Sequence, residues 1–403
     1  MKRIVMIGIC VFLMILAVAS FFHNTGPDKI SIKKAGDNEF QLLVNNKPYI
    51  IKGVVYNPVP IGRTHTYDFW SDPLKPHIRD GKLMKEMGVN TIRAYKAGED
   101  IEAVKGVIKD LYAKFNIRVA MGHWLGFWDN PNHADKDFRE KVKKDVLEMV
   151  NTYKDEKGIL CWILGNENNR SFDYGPEALN VWTNDEIEAI EDPYERRKER
   201  AKIYYTFVND LAKEIKKIDP NHPIVFGNAE LSYADEEVAS KVTPDIDILG
   251  CSIYRGKTLG SFFRKCNISF KRPSLLIEFG CDRYNAYLKK EDQDIQAEFL
   301  KAQWEEIEKN TYKGNGCKNS IGGFVFEWTD EWWKHHEDNK AGWDVHDTES
   351  SWSNGSYYFD IKAERNFNIN EEWWGVVALE KSSQGLDERR PTKAYFTLKE
   401  LWR

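Results

Sequence analysis

The sequence predicts an α/β fold in which eight strands and the helices between them close into a (β/α)8 TIM barrel. Apolar, strand-like runs alternate along the chain with segments whose apolar residues recur at helical spacing. Eight such repeats are typical of a closed parallel barrel rather than an open sheet. No glycine-rich turn follows the first predicted strand, which argues against a doubly wound nucleotide-binding sheet.

A short hairpin is predicted before the barrel, over residues 30–51, with its turn at Asn45-Asn46-Lys47-Pro48. The predicted barrel strands are the apolar runs at residues 49–55, 89–94 and 117–121, around Cys161, at residues 224–227 and 246–254, around Leu275, and at residues 321–328. The predicted helices cover residues 78–87, 101–115, 138–153, 202–218, 234–241, 293–308 and 391–402. The polar segment 334–370 predicts a long loop after the last strand, on the active face of the barrel.

The composition indicates a water-soluble globular protein and disfavours a polyanionic partner. Of the 403 residues, 42% are hydrophobic and 30% are charged. Lys and Arg number 58 against 63 Asp and Glu, a net charge of −5, whereas nucleic-acid binders usually carry a basic excess. Aromatic residues make up 13% of the chain, which suits both core packing and stacking against sugar rings.

The N-terminus predicts export. A basic start is followed by an apolar run at residues 4–22, so residues 1–22 are interpreted as a signal peptide or a membrane anchor. Both interpretations stay open, and the product would be secreted, periplasmic or anchored at the outer face of a membrane. Residues 23–29 are polar and are interpreted as a linker, and residues 30–403 as the barrel domain.

Two glutamates are the strongest functional signal. Glu167 follows the fourth predicted strand and Glu278 follows the apolar run of the seventh. Because the carboxyl ends of parallel barrel strands meet at one mouth, we expect the two carboxylates to lie close together. A retaining glycosidase needs such a pair about 5 Å apart, one as acid and one as nucleophile. The alternative for a single strand-end glutamate is an ordinary ion pair.

Three segments carry a resemblance to known glycosidases. Residues 40–54 and 83–93, together with Trp162-Ile163-Leu164-Gly165-Asn166-Glu167, resemble the catalytic barrel of glycoside hydrolase family 2. Residues 51–58, with Arg93-Ala94-Tyr95, are similar to family 72 glucanosyltransferases. The resemblance implies a retaining glycoside hydrolase of the (β/α)8-barrel clan, with Glu167 as acid/base and Glu278 as nucleophile.

The same resemblance implies roles for residues around the pair. Arg93 and Tyr254 would hydrogen-bond the nucleophile, and Asn166 would bind the sugar 2-hydroxyl. Tyr254 could instead be a packed core residue, and Asn166 could cap a turn.

Three further residues are interpreted as substrate-facing. His123 and Trp124 follow the third strand, and Trp328 follows the eighth and could form a sugar platform. Each has a plain alternative: a core histidine for His123, and simple packing for Trp328.

The sequence as a whole therefore predicts an exported retaining β-glycosidase that hydrolyses or transfers units of a β-linked glucan or mannan, with no cofactor and no metal. Two alternatives stay open. One is a non-catalytic carbohydrate-binding barrel in envelope polysaccharide assembly, and the other is a metal-dependent barrel hydrolase. The sugar, the linkage and the oligomeric state are not specified by these motifs.

Overall fold

Eight parallel strands close into a barrel in the computed structural model, which describes residues 26–174, 178–285, 288–349 and 370–403. The barrel strands are β1 (Ile51–Val55), β2 (Thr91–Ala94), β3 (Arg118–His123), β4 (Ile159–Leu164), β5 (Ile224–Asn228), β6 (Ile248–Ser252), β7 (Ser274–Gly280) and β8 (Ser320–Phe326). They pair in chain order, and β8 pairs in parallel with β1 to complete the ring. The predicted (β/α)8 barrel is confirmed.

A helix follows each strand and packs outside the barrel. The helices that follow the eight strands are α1 (Pro76–Met87), α2 (Ile101–Asp110), α3 (Lys136–Tyr153), α4 (Pro193–Ile218), α5 (Tyr233–Val242), α6 (Phe262–Ser269), α7 (Gln293–Lys309) and α8 (Lys393–Trp402). Helix α4 begins nine residues before its predicted start, because Asp192 caps it by accepting hydrogen bonds from the backbone N–H groups of Tyr194 and Glu195. Helix α6 was not expected from the sequence.

The N-terminal segment forms a small antiparallel sheet rather than a simple hairpin. Its strands are Ile30–Gly36, Glu39–Val44 and Lys47–Tyr49, so a third short strand extends the predicted pair. Leu42 is buried in the same apolar cluster as Ala120 and Ile277 of the barrel. This sheet therefore packs its apolar face against the barrel core.

Asp28 corrects the extent of the predicted linker. Its carboxylate is buried and accepts hydrogen bonds from Nε (2.8 Å) and Nη2 (2.6 Å) of Arg118. Both nitrogens donate to Oδ2 of Asp28, and this ion pair ties the segment to the start of β3, so the linker predicted over residues 23–29 does not include Asp28. The signal peptide or anchor predicted over residues 1–22 lies outside the described residues. Within the four described ranges, no helix has the length and apolarity needed to cross a bilayer.

Residues 327–349 form a loop after β8, beside the carboxyl ends of the strands, and residues 350–369 of the loop predicted over 334–370 lie outside the described part. The described residues after β8 include the short 3-10 turns Lys340–Gly342 and Glu371–Trp373, followed by a hairpin of Val377–Glu380 and Glu388–Pro391. Arg283 anchors the loop by donating two hydrogen bonds to the carboxylate of Asp330, at 2.5 and 2.6 Å. The loop is thus fixed beside the barrel mouth.

Candidate active site

Glu278 lies on β7 and accepts three hydrogen bonds at the barrel mouth. Nη1 of Arg93 (2.6 Å) and the hydroxyl of Tyr95 (2.8 Å) donate to its Oε1 atom. The hydroxyl of Tyr254 donates to Oε2 at 2.7 Å. The carboxylate is 5% exposed. Three donors, one of them a guanidinium, orient this group and stabilise its negative charge.

Arg93 connects the strands that carry the site. Arg93 is the third residue of β2 and is almost fully buried. Besides Glu278, its Nη1 donates to the carbonyl of Ile277 (2.9 Å), and its Nη2 donates to Oδ1 of Asn166 (2.5 Å). One rigid guanidinium therefore fixes residues of β7 and of the loop after β4 relative to each other.

Glu167 follows β4 in a turn that its sequence makes possible. Gly165 and Glu167 both adopt left-handed conformations, with φ of 81° and 55°. Such a φ is uncommon for a residue other than glycine. The side chain of Asn168 stabilises the turn by accepting a hydrogen bond from the backbone N–H of Asn166 (2.8 Å). The turn carries Glu167 to the same mouth as Glu278.

The electrostatics of the two glutamates differ. Burial raises the pKa of Glu167, and the nearby negative charge of Glu278 raises it further. Arg170 opposes both effects with an ion pair of 3.1 Å to Glu167 Oε2. A carboxyl group with a raised pKa suits a general acid, whereas the charge-stabilising donors around Glu278 suit a nucleophile.

His123 ends β3, and Trp124 follows it and contacts Tyr95, which bonds Glu278. Nδ1 of His123 accepts a hydrogen bond from the backbone N–H of Leu125 (3.0 Å), and burial lowers the pKa of the imidazole. The ring is therefore neutral, with its proton on Nε2. Trp124 stacks on Tyr95 with ring centroids 4.7 Å apart and planes 15° from parallel. The site thus has one aromatic wall, formed by Trp124.

Trp328 does not lie with these residues. Its side chain has no exposed surface, and its ring packs near Tyr395 of α8, with centroids 6.4 Å apart. The backbone N–H of Trp328 donates to the carbonyl of Val55 (3.1 Å), and its carbonyl accepts from the N–H of Val377 (3.0 Å). A ring enclosed in the layer between barrel and helix cannot stack on a sugar, so we leave Trp328 out of the site.

Tyr95 is the site residue that the sequence reasoning missed. Successive side chains on a strand alternate between faces, so a residue two places after Arg93 continues the same face. That spacing is the signal that could have identified it. Tyr95 also lies under the guanidinium of Arg93, with Cζ 4.7 Å from the ring centroid. It therefore contacts both Glu278 and the arginine that holds this glutamate.

A group of acidic residues follows β8. Glu331 pairs with Lys334 at 3.3 Å, and Lys334 pairs with Glu371 at 3.0 Å. Glu327 is buried, and neither carboxyl oxygen has a hydrogen-bond partner among the described residues. Burial and the negative charge of Glu331 raise the pKa of Glu327 well above the ordinary value. The charge of Glu331 also raises the pKa of Tyr95, so this group adjoins the site.

Two enzymes whose names refer to a glucan and a mannan are similar to this chain in sequence. A probable 1,3-β-glucanosyltransferase from Saccharomyces cerevisiae is 23% identical over 321 residues, which are 71% of this chain and 53% of the yeast protein. A putative mannan endo-1,4-β-mannosidase from Arabidopsis thaliana is 30% identical over 120 residues, 28% of this chain and 22% of that protein. This chain spans about half the length of the yeast relative. No protein-family model matches the sequence.

Similar structures include β-glucuronidases. One from Bacteroides uniformis, covalently bound to cyclophellitol-6-carboxylate aziridine, gives a TM-score of 0.59 at 17% identity, over 93% of this chain and 37% of that one. One from Faecalibacterium prausnitzii gives 0.56 at 17% identity, over 93% of this chain and 51% of that one. At such identity these structures establish the fold. Together with the two relatives, they confirm the resemblance to glycosidase barrels that the sequence indicates.

Proposed function

We propose that this chain is an exported retaining β-glycosidase, either a hydrolase or a transglycosylase, acting on β-linked glucan or mannan chains. The observation that carries the proposal is the asymmetry of the two glutamates. Glu278 is held by three donors, while burial and the charge of Glu278 raise the pKa of Glu167. The names of the yeast and plant relatives support the choice of glucan and mannan.

The first step forms a covalent intermediate. An oxygen of Glu278 attacks the anomeric carbon while the glycosidic C–O bond breaks and Glu167 gives its proton to the departing oxygen. The products are a glycosyl ester on Glu278 and a free alcohol. Asn166 accepts from Arg93 through its Oδ1 atom, so its amide NH2 group is the donor for the sugar 2-hydroxyl.

The second step releases the sugar. Glu167, now a carboxylate, removes a proton from water or from a sugar hydroxyl, and the oxygen of that acceptor attacks the anomeric carbon. The ester bond breaks, and both glutamates return to their starting protonation. Water gives hydrolysis, and a sugar hydroxyl gives transfer. The charge of Glu278 helps this exchange, because it raises the proton affinity of Glu167 whenever the nucleophile is free.

Export is part of the proposal. The apolar run at residues 4–22 supports a signal peptide or a membrane anchor, and a polysaccharide substrate suits an enzyme outside the cytoplasm. Fractionating cells that express the full chain, with and without residues 1–22, tests this part. Retention of the full chain in the cytoplasm would contradict it.

The catalytic proposal is tested with aryl β-glucosides and β-mannosides bearing activated leaving groups, and with β-glucan and mannan oligosaccharides. We expect Glu278→Ala to abolish turnover. Glu167→Ala should keep slow turnover of activated substrates, and azide should accelerate it and give a β-glycosyl azide. Proton NMR of the first product should show the β-anomer. An α-anomer would overturn the retaining mechanism, and sugar binding without wild-type turnover would favour the non-catalytic barrel.

A further inference from the structure

A line of aromatic side chains runs from the nucleophile to the protein surface. Tyr95, which bonds Glu278, stacks on Trp124. Trp124 meets Trp128 edge to face, with centroids 5.9 Å apart and planes at 74°. Trp128 is 59% exposed. The line therefore begins inside the catalytic site and ends on an exposed indole.

The loop that carries Trp128 is firmly held. Phe127 is buried beneath it, with its ring edge-on to Trp128 at 5.1 Å. Asn180 donates a hydrogen bond from Nδ2 to the carbonyl of Phe127 (2.7 Å). The backbone turns at Leu125 and Gly126, both in left-handed conformations. An exposed indole is thus presented on an ordered base, which limits the entropy lost when a ligand binds.

The loop is also connected to the acid/base. Nδ2 of Asn168 donates to the carbonyl of Trp124 (3.2 Å), and its Oδ1 accepts from the N–H of Asn166, next to Glu167. The aromatic line and the catalytic turn are therefore one rigid unit. A chain bound along the line would be positioned relative to both glutamates.

We propose that Trp124 and Trp128 form a distal subsite that binds a glycosyl unit of an oligosaccharide or polysaccharide chain, away from the bond that is cleaved. This inference rests on the proposed function and specifies its substrate class as a chain of several neutral sugars. Aromatic faces bind the apolar C–H face of a pyranose, and the exposed Asp129 and Asn130 beside Trp128 offer acceptors and a donor for its hydroxyls. A single exposed aromatic residue is ordinary, but continuity with the catalytic pair gives this one a function.

The test compares two substrates in three proteins. For wild type, Trp128→Ala and Phe396→Ala, kcat/KM is measured on an aryl β-glycoside and on a longer oligosaccharide of the same sugar. Phe396 is the control, because it is similarly exposed, at 52%, on α8 outside the barrel. We expect the ratio of kcat/KM for the oligosaccharide to kcat/KM for the aryl glycoside to fall roughly tenfold in Trp128→Ala. A loss of this size corresponds to the loss of about one stacked aromatic ring. Phe396→Ala should keep the wild-type ratio.

A binding measurement separates this inference from the catalytic proposal. Glu278→Gln and Glu278→Gln/Trp128→Ala are titrated with the same oligosaccharide by calorimetry, so that no turnover is needed. Weaker binding in the double variant supports the subsite even if the wild type proves inactive. Equal binding in both, or an unchanged activity ratio, overturns the subsite. Absence of wild-type turnover on every substrate would overturn the catalytic proposal alone.

Discussion

Arg93 and Glu278 form a buried ion pair at 2.6 Å that joins β2 to β7 across the barrel mouth. The other terminal nitrogen of the guanidinium, Nη2, donates a hydrogen bond to Oδ1 of Asn166 on the loop after β4. A charge buried this deeply is stable only with its partner, so each residue fixes the position of the other. We treat Arg93 as the positioning residue for the nucleophile.

The first prediction concerns the shape of that cation. Arg93→Lys keeps the charge but cannot reach Glu278 and Asn166 at once, so kcat should fall roughly 100-fold through misplacement of the nucleophile. Steady-state kinetics on an aryl glycoside measures the loss. Arg390→Lys, in an exposed pair with Glu380, is the matched control and should keep wild-type kcat. Wild-type kcat in Arg93→Lys would contradict the positioning role.

The second prediction separates the two tyrosines that bond Glu278. Oε1 accepts from both Arg93 and Tyr95, whereas among the described residues Tyr254 is the donor to Oε2. Tyr254→Phe should therefore lower kcat more than Tyr95→Phe does. Both variants keep the ring, so unfolding midpoints should differ little. An equal loss in the two variants, or a larger loss in Tyr95→Phe, would show that the hydroxyls act in another way.

The third prediction concerns pH. Glu167 must be protonated to act as the acid, and Arg170 lowers its pKa against the raising effects of burial and Glu278. Arg170→Met should therefore raise the pKa of Glu167 and move the alkaline limb of the kcat/KM profile to higher pH. Lys241→Met, which removes an exposed lysine on α5, is the control. An alkaline limb that stays in place or moves to lower pH would show that Glu167 is not the titrating acid.

The main features of the fold and the positions of Glu167 and Glu278 could be predicted from the sequence, because they depend on local patterns. The spacing of the apolar residues and the position of each glutamate near the end of a strand suffice to place Glu167 after the fourth strand and Glu278 on the seventh. Trp328 was wrongly expected at the mouth, because its orientation depends on a backbone pairing with Val377, far along the chain. Local pattern carries no information about such a pairing.

The contacts of buried polar residues could not be predicted from the local sequence either. Asp28 looks like a linker residue, since its surroundings in the sequence are polar, yet it pairs with Arg118 ninety residues away. Tyr95 has no charge to mark it, and its function follows from the face that it shares with Arg93. Sequence therefore identified the two glutamates at the barrel mouth better than the residues that hold them in place.

The fourth prediction measures the contact between the N-terminal segment and the barrel. Asp28→Asn should lower the free energy of unfolding by about 3 kcal/mol, because Arg118 would be left buried without its counter-charge. Glu380→Gln, which breaks the exposed pair with Arg390, should cost less than about 1 kcal/mol. Urea unfolding measures both. A similar small loss in the two variants would mean that Asp28 contributes no more than a surface charge.

The fifth prediction concerns a histidine that is buried without a partner. His133 has no exposed surface, and neither ring nitrogen has a hydrogen-bond partner among the described residues. Its ring is surrounded by those of Phe138, Trp182, Tyr204 and Phe207. Burial, with a smaller contribution from Arg139, lowers the pKa of His133 from 6.5 to about 3.

The sign of the pH effect follows from linkage. Below about pH 6.5 the unfolded chain binds a proton that the folded chain excludes, so stability is full above that pH and declines as the pH falls towards about 3. His133→Phe removes this proton site, so its stability should decline less between about pH 7 and pH 5 than that of the wild type. Urea unfolding at the two pH values gives the comparison. His65→Phe, at an exposed histidine, should keep the wild-type decline, and a decline in His133→Phe as large as in the wild type would show that His133 does not contribute to acid sensitivity.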